Sequence, residues 1–573
     1  MTGSRRSLNC FVRRYGKGGA SPPLNVFTAS PPTAVISIHR RACGPLLPIP
    51  WFAQGNDFLT KVRSAIGTSE NPTRRTFLAA TLAAGAGAAL AACSRTAPES
   101  NLTSQPTSVP AALDDPIKAA EAARPHTGRT VSMTLTPRPV TVDLGGKVVK
   151  TLGYADTIPG PLIRADVGDE LQVTLVNKLD KSTSAHWHGI ALRNDMDGAQ
   201  PATPNVPAGQ SFTYRFSVPD AGTYWAHPHV GVELDTGLYL PLIIDDPRAR
   251  GDYDTEWIVM LDDWTDGVGR SPQQILDDLE KGGMGAMGSM GSDSGMGQMA
   301  GAGSESLLGG DPGDVTYPYY VVNGRIPEAP TTFRAKPGQR IRIRFINSGS
   351  DTAFRVALGG HRMKVTHTDG FPVVPTDVDA LLIGIGERYD VIVTAGDGVF
   401  PLVASAEGKN ALGRALLATG TGAAPSVDFR PPELNGKVGT IDLFAAPEEA
   451  QLTFTKPDTE MVATLTAAET AYQWGINGPY PDNKPLTVWQ GQQATLTFVN
   501  NTRMWHPMHL HGHTFAILNP DDTQGARKDT VIVLPGQSVK VAILADNPGY
   551  WPMHCHNTYH AEAGMLTSFD YLN

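Results

Sequence analysis

The chain has 573 residues, too many for one hydrophobic core, so two to four domains are expected. Only 18 % of the residues are charged, while 60 Gly and 46 Pro approach a fifth of the chain, which predicts many short elements joined by turns and excludes a bundle of long charged helices. The net charge of −9 conceals an asymmetry: residues 1–92 carry 11 Lys/Arg and 2 Asp/Glu, leaving the rest at −18, a body that disfavours nucleic acid and attracts cations.

Four cysteines, at 10, 43, 93 and 555, exclude a disulfide-stapled scaffold. Residues 1–73 show no convincing periodicity and are expected to be a non-native or disordered leader. A start codon assigned too far upstream would explain them; since no Met lies between Met1 and Met133, the true start would use a non-Met codon such as that of Val62. Residues 74–93 open with Arg74-Arg75-Thr-Phe-Leu, continue with an Ala/Gly/Leu run and end in Leu90-Ala91-Ala92-Cys93. They resemble a twin-arginine export signal with a lipobox, which implies a mature protein held at the outer face of the cytoplasmic membrane by lipid on Cys93. A transmembrane anchor is the competing reading, but the apolar run is shorter than the roughly 20 residues a span needs. Residues 94–126 read as a polar tether with a short helix near 112–123.

The body is repetitive. Gly168 to Asn177, Gly338 to Asn347 and Gly491 to Asn500 align without gaps, each alternating polar and apolar residues, as a half-buried strand does. A second motif follows each: Gly209-Gln-Ser then Gly222, Gly386-Glu-Arg then Gly398, and Gly536-Gln-Ser then Gly549. The body is therefore one β-domain present three times, at 127–247, 255–427 and 436–573, each the size of a Greek-key sandwich, and the fold class is all-β.

Histidines separate the copies. The first carries His186-Trp187-His188 and His227-Pro228-His229; the third carries His506-Pro507-Met508-His509-Leu510-His511 and His554-Cys555-His556. The second has none at these places and reads as a spacer. His-x-His on a strand points both imidazoles to one face, and imidazole suits Cu, Zn, Fe or Ni. Four such pairs predict a multinuclear metal cluster between the first and third copies. Alternation sends Cys555 to the opposite face, where His506, His560 and Met565 complete the Cys, two-His and weak axial Met set of a blue-copper electron-transfer site.

With these motifs the body, about 127–573, resembles the multicopper oxidases, specifically bacterial three-domain cupredoxin enzymes of the laccase type, and in its exported form the actinobacterial copper-resistance oxidases. The resemblance implies three cupredoxin-type sandwiches and four copper ions. Type 1 copper falls to His506, Cys555, His560 and Met565, and type 2 to His186 and His509. The type 3 pair falls to His188, His227, His229, His511, His554 and His556. It also implies O₂ as acceptor and proton delivery by Asp197, which otherwise reads as a turn residue before Gly198. Relatives often place a second acid directly after the last type 1 His, where this chain has Ala561 followed by Glu562. His513 is expected beside the ligands and not among them.

An axial Met implies a modest potential and easily oxidised donors: Cu(I), Fe(II), phenols or amines. Residues 281–303 carry Met284, Met287, Met290, Met296 and Met299 in a Gly/Ser background that cannot form a core. Thioethers favour Cu(I), although a simple low-complexity insert fits the same composition. Met504, Met508 and Met553, beside the ligand strands, read as packing before they read as a Cu(I) relay. The leading expectation is an exported Cu(I) oxidase for copper tolerance. A phenol oxidase and a non-catalytic copper-sequestering protein are the alternatives, and the type 1 set argues against the last.

Overall fold

The computed structural model describes residues 110–247, 252–283 and 307–572. The 1–73 leader, Arg74-Arg75, Cys93 and the five methionines between 284 and 299 lie outside them. Among the described residues there are 32 strands and three α-helices: α1 (Asp114–Ala123), α2 (Pro272–Gly282) and α3 (Thr558–Glu562). None of these helices is long and apolar enough to cross a membrane.

The strands fall into successive sets. Those between Thr130 and Asp245 form a three-stranded sheet, a four-stranded sheet and a hairpin; those from Thr255 to Gly439 form two six-stranded sheets; those from Thr459 to Leu572 form a six-stranded and a five-stranded sheet. This is the layered all-β cupredoxin architecture. The second set reaches past residue 427, because Val438–Gly439 pairs in parallel with Ala380–Leu381. Apolar side chains from all three sets form one continuous core.

The first repeat motif has a structural cause. Its glycines, Gly168, Gly338 and Gly491, all take positive φ (83°, 79° and 85°), which turns the chain into the strand without a Cβ penalty. Its asparagines act alike: Asn177 Nδ2 donates to the carbonyls of Lys181 and Val206, Asn347 Nδ2 to those of Thr352 and Ile383, and Asn500 Nδ2 to those of Met504 and Val533. Each buried amide thereby ties the end of its strand to the segment that, in the first and third copies, leads to the histidines.

The chain from Leu113 onward is docked and not a free tether. Glu121 Oε1 accepts from Ser217 N (2.8 Å) in the first set, and Arg124 donates to Asn547 Oδ1 (2.9 Å) in the third. Asn547 in turn donates to the carbonyls of Leu192 and Gly512, so α1 is stitched across both metal-bearing sets.

At Gly198 (φ 82°) a Cβ would lie 1.8 Å from the Ala185 carbonyl oxygen. Gly198→Ala must therefore displace main chain next to His186, and it should cost about 2 kcal/mol or more. The midpoint of urea unfolding of the copper-free protein measures this; an unchanged midpoint would contradict the packing described.

Candidate metal centres

Strand register explains the positions of the histidines. His186, Trp187 and His188 pair with His227, Ala226 and Trp225 on the neighbouring strand. In the third set Met508 faces Cys555 and His509 faces His554 across an antiparallel ladder. Paired residues share a face and successive residues alternate, so His509 and His554 project to one side while Cys555 and His506 project to the other. One pair of strands therefore serves two sites.

On the first side eight imidazoles converge. His188 Nδ1 is 3.1 Å from His556 Nε2, and His227 lies against both rings. His554 Nε2 is 3.0 Å from His511 Nε2 and 3.2 Å from His229 Nε2. His186 stacks on His511, and His509 stacks on His188, at ring separations of 3.7 and 3.8 Å. Burial lowers the pKa of His188, His227, His229, His511, His554 and His556 well below the ordinary value, and the neighbouring imidazoles add to it. The rings are thus neutral and available as ligands.

The outer nitrogens are held by the protein. Nδ1 of His186, His227, His509 and His554 donates to the main-chain carbonyls of Asp197, Pro228, Asp529 and Cys555, at 2.8–3.0 Å. His186 Nε2, His227 Nε2 and His509 Nε2 are buried and have no hydrogen-bond partner in the protein. Turned inward without partners, such nitrogens fit imidazole-bound metal.

Asp197 joins the first and third sets here. Its Oδ2 accepts from His511 Nδ1 at 2.9 Å, and its Oδ1 lies 3.3 Å from His186 Nδ1. A cavity of about 30 Å³ reaches the cluster, lined among others by His229, His554, His556 and Glu562. Burial raises the Glu562 carboxyl, and Glu280 of α2 raises it further.

On the other side of the strands, Cys555 Sγ is 3.6 Å from both His506 Nδ1 and His560 Nδ1, and the two nitrogens are 3.1 Å apart. His560 sits on α3, whose N-terminus is capped by the Asn557 side chain. The fully buried Met565 closes the loop through its main chain, bonding His560 O and accepting from Cys555 N. His506 Nε2 meets Thr502 Oγ1 at 2.8 Å, and His560 Nε2 donates to Asp314 Oδ2 at 2.9 Å. Burial works to lower the His560 pKa, but the hydrogen bonds to Asp314 and Cys555 outweigh it and raise it to about 10. A buried cysteine sulfur beside two imidazole nitrogens fits a copper site of the blue type.

The second set is not a spacer: Asp314, Gly386 and Arg388 all reach the metal-bearing sets. Asp314 is presented by Asp351, which accepts from the amides of Asp314 and Val315 and pairs with Lys409. A Cβ on Gly386 would meet His556 and His188 at 2.8–3.0 Å. Arg388 forks onto Asp529, which accepts from His188 Nε2 at 3.1 Å. Burial would raise the Asp529 carboxyl, but Arg388 overrides it and holds it well below the usual carboxylate range. The signal for Arg388 was its place in the second repeat, where the other copies have Ser211 and Ser538; nothing flagged Asp529. His513 faces away from the cluster, with Nε2 2.7 Å from Tyr571 OH. Met504, Met508 and Met553 are core packing.

Sequence models of multicopper oxidases match residues 137–249, 255–423 and 454–573. The chain is 59 % identical to the multicopper oxidase MmcO of Mycobacterium tuberculosis, over 87 % of this chain and 97 % of that protein. The chain belongs to the multicopper oxidase family. It is therefore an oxidoreductase that uses copper and O₂ and takes electrons from copper or small donors. Among other relatives is a copper resistance protein A homolog of Pseudomonas syringae pv. tomato, 28 % identical over 74 % of this chain and 90 % of that one. The laccase of Botrytis aclada shares the fold at 24 % identity, with a TM-score of 0.63 over 79 % of this chain and 89 % of that one. A multi-copper oxidase from Pseudomonas thermotolerans gives a TM-score of 0.58 at 25 % identity, over 77 % and 99 %.

In this multicopper oxidase, Cys555→Ser should abolish the blue absorption while the protein stays folded and keeps copper at the imidazole cluster. His188→Ala should spare the blue band and stop O₂ consumption. Absorption spectra with copper counts, and an oxygen electrode, check the two; a blue Cys555→Ser protein would overturn the reading of that site.

Proposed function

We propose that the chain is an exported copper-tolerance oxidase that oxidises Cu(I) to Cu(II), with Fe(II), phenols and amines as further donors. Type 1 copper is assigned to His506, Cys555, His560 and Met565, and type 2 to His186 and His509. The type 3 pair is assigned to His188, His227 and His556 on one side and His229, His511 and His554 on the other. Four coppers supply one-electron storage, so that four Cu(I) are oxidised for each O₂ reduced to two waters, with four protons taken up. Cys555 links the two sites covalently, because its chain neighbours His554 and His556 belong to the cluster. Asp197, held by His511 and with Oδ1 making no hydrogen bond, is the acid at the cluster end.

One observation favours a metal ion over a phenol as donor. The ends of the Met-rich segment are tied down beside the type 1 ligands. Before it, Gly283 packs on Thr470, two residues from Tyr472, whose hydroxyl donates to Asp314 at 2.6 Å. After it, Leu308 packs with Trp505, next to His506. Soft thioethers in the stretch between these two flanks suit Cu(I). Deleting residues 284–299 should slow Cu(I) oxidation more than phenol oxidation, measured as O₂ uptake with each donor. Equal rates before and after deletion would sink the metal-donor reading and leave a general donor oxidase.

The export signal and lipobox read in the sequence support a lipoprotein on the outer face of the cytoplasmic membrane. Cys93→Ala should then release the protein or leave it unprocessed, as seen by membrane fractionation. Unchanged attachment would point to a transmembrane anchor.

A further inference from the structure

Of the outer nitrogens that the protein holds around the cluster, His188's is held in an unusual way. His186, His227, His509 and His554 give Nδ1 to main-chain carbonyls and turn Nε2 inward. His188 does the reverse. Its Nε2 donates to Asp529 Oδ1 (3.1 Å) and lies 3.2 Å from Thr530 Oγ1, so Nδ1 faces His556. The ring is boxed in by Gly386 of the second set.

Asp529 is itself tightly held. Arg388 Nη1 and Nη2 grip its two oxygens at 2.7 and 2.6 Å, and Arg388 Nε donates to the Thr223 carbonyl of the first set. Asp369 accepts from the amides of Arg388, Asp529 and Thr530. Thr530 Oγ1 donates to Asp529 Oδ1 at 2.9 Å and lies 3.1 Å from His509 Nδ1. All these groups are fully buried. A bidentate guanidinium–carboxylate pair is the stiffest polar contact available, and partners behind ligating imidazoles orient them.

We propose that Arg388 is a positioning residue of the copper cluster: through Asp529 and Thr530 it fixes which nitrogen His188 offers to metal and orients His509 beside it. The inference rests on the reading of His188 and His509 as copper ligands. It gives the copper-free second sandwich a direct part in building the site.

Three variants test it: Asp529→Asn, Arg388→Lys, which keeps the charge but not the fork, and the milder Thr530→Val. Each is reconstituted with copper, and retention is titrated against a chelator alongside the blue absorption and the electron paramagnetic resonance signal of the non-blue copper. Asp529→Asn should bind cluster copper roughly 10–100-fold more weakly and alter the non-blue signal while the blue band persists. Arg388→Lys should fall between it and the parent, and Thr530→Val should shift the non-blue signal in the same direction. Parent-like retention and spectra in all three, or loss of blue and cluster copper in parallel, would overturn the proposal; the second result would reduce the pair to a structural role. If the parent protein holds no copper beyond the blue site, the ligand assignment fails instead.

Discussion

The structure is organised around one constraint: eight imidazoles are gathered around one centre, with one nitrogen of each turned toward it. Burial and the neighbouring imidazoles hold His188, His227, His229, His511, His554 and His556 well below the ordinary imidazole range, so these rings stay neutral. Each ring then needs an acceptor behind it. Carbonyls of Asp197, Pro228, Asp529 and Cys555 supply four of these, which dictates the path of the main chain at each ligand. No single sandwich offers enough strand ends for this, so the first and third copies meet face to face.

The second copy makes that meeting rigid. Arg388 with Asp529, Arg344 with Asp390, Lys528 with Asp369 and Lys409 with Asp351 are ion pairs buried on both sides. Breaking a buried pair from one side costs about 3–5 kcal/mol, so such pairs tolerate only one arrangement of the elements that carry them. Two of them, Arg388–Asp529 and Lys528–Asp369, join the second copy to the third. A third, Lys409–Asp351, holds the turn that presents Asp314 to His560. A copy without the histidine pairs thus reaches both candidate metal sites through charge.

The two sites share their strands. Because side chains alternate, Cys555 and His554 are neighbours in the chain yet belong to different centres, and Met508 and His509 repeat the division on the paired strand. The short covalent route between the Cys555 sulfur and the imidazole cluster is a consequence of strand periodicity. The short helix α3 then brings His560 back to Cys555, with Asn557 capping it and Asp314 fixing its ring.

Local patterns determined much of this protein. Alternation and the Gly…Asn repeat are short-range properties of a strand and its turn, so the all-β class and the threefold repetition were legible, and the family followed from motifs only a few residues long. His-x-His and His-Cys-His spacings are equally local, so candidate ligands could be named before their surroundings were known. The pairing of ligands from distant strands, such as His188 with His556 and His229 with His554, needed the packing of separate sandwiches. So did every charge that acts across an interface. Asp529 follows a lysine at the bend between two strands, and Asp314 lies in an irregular turn; neither has a pattern, because their partners Arg388 and His560 are 141 and 246 residues away. Arg388 left a trace only as a charge where the repeat elsewhere has serine. Sequence specifies periodicity and donor chemistry over a few residues, whereas which buried charge faces which ring is decided by how whole sheets pack.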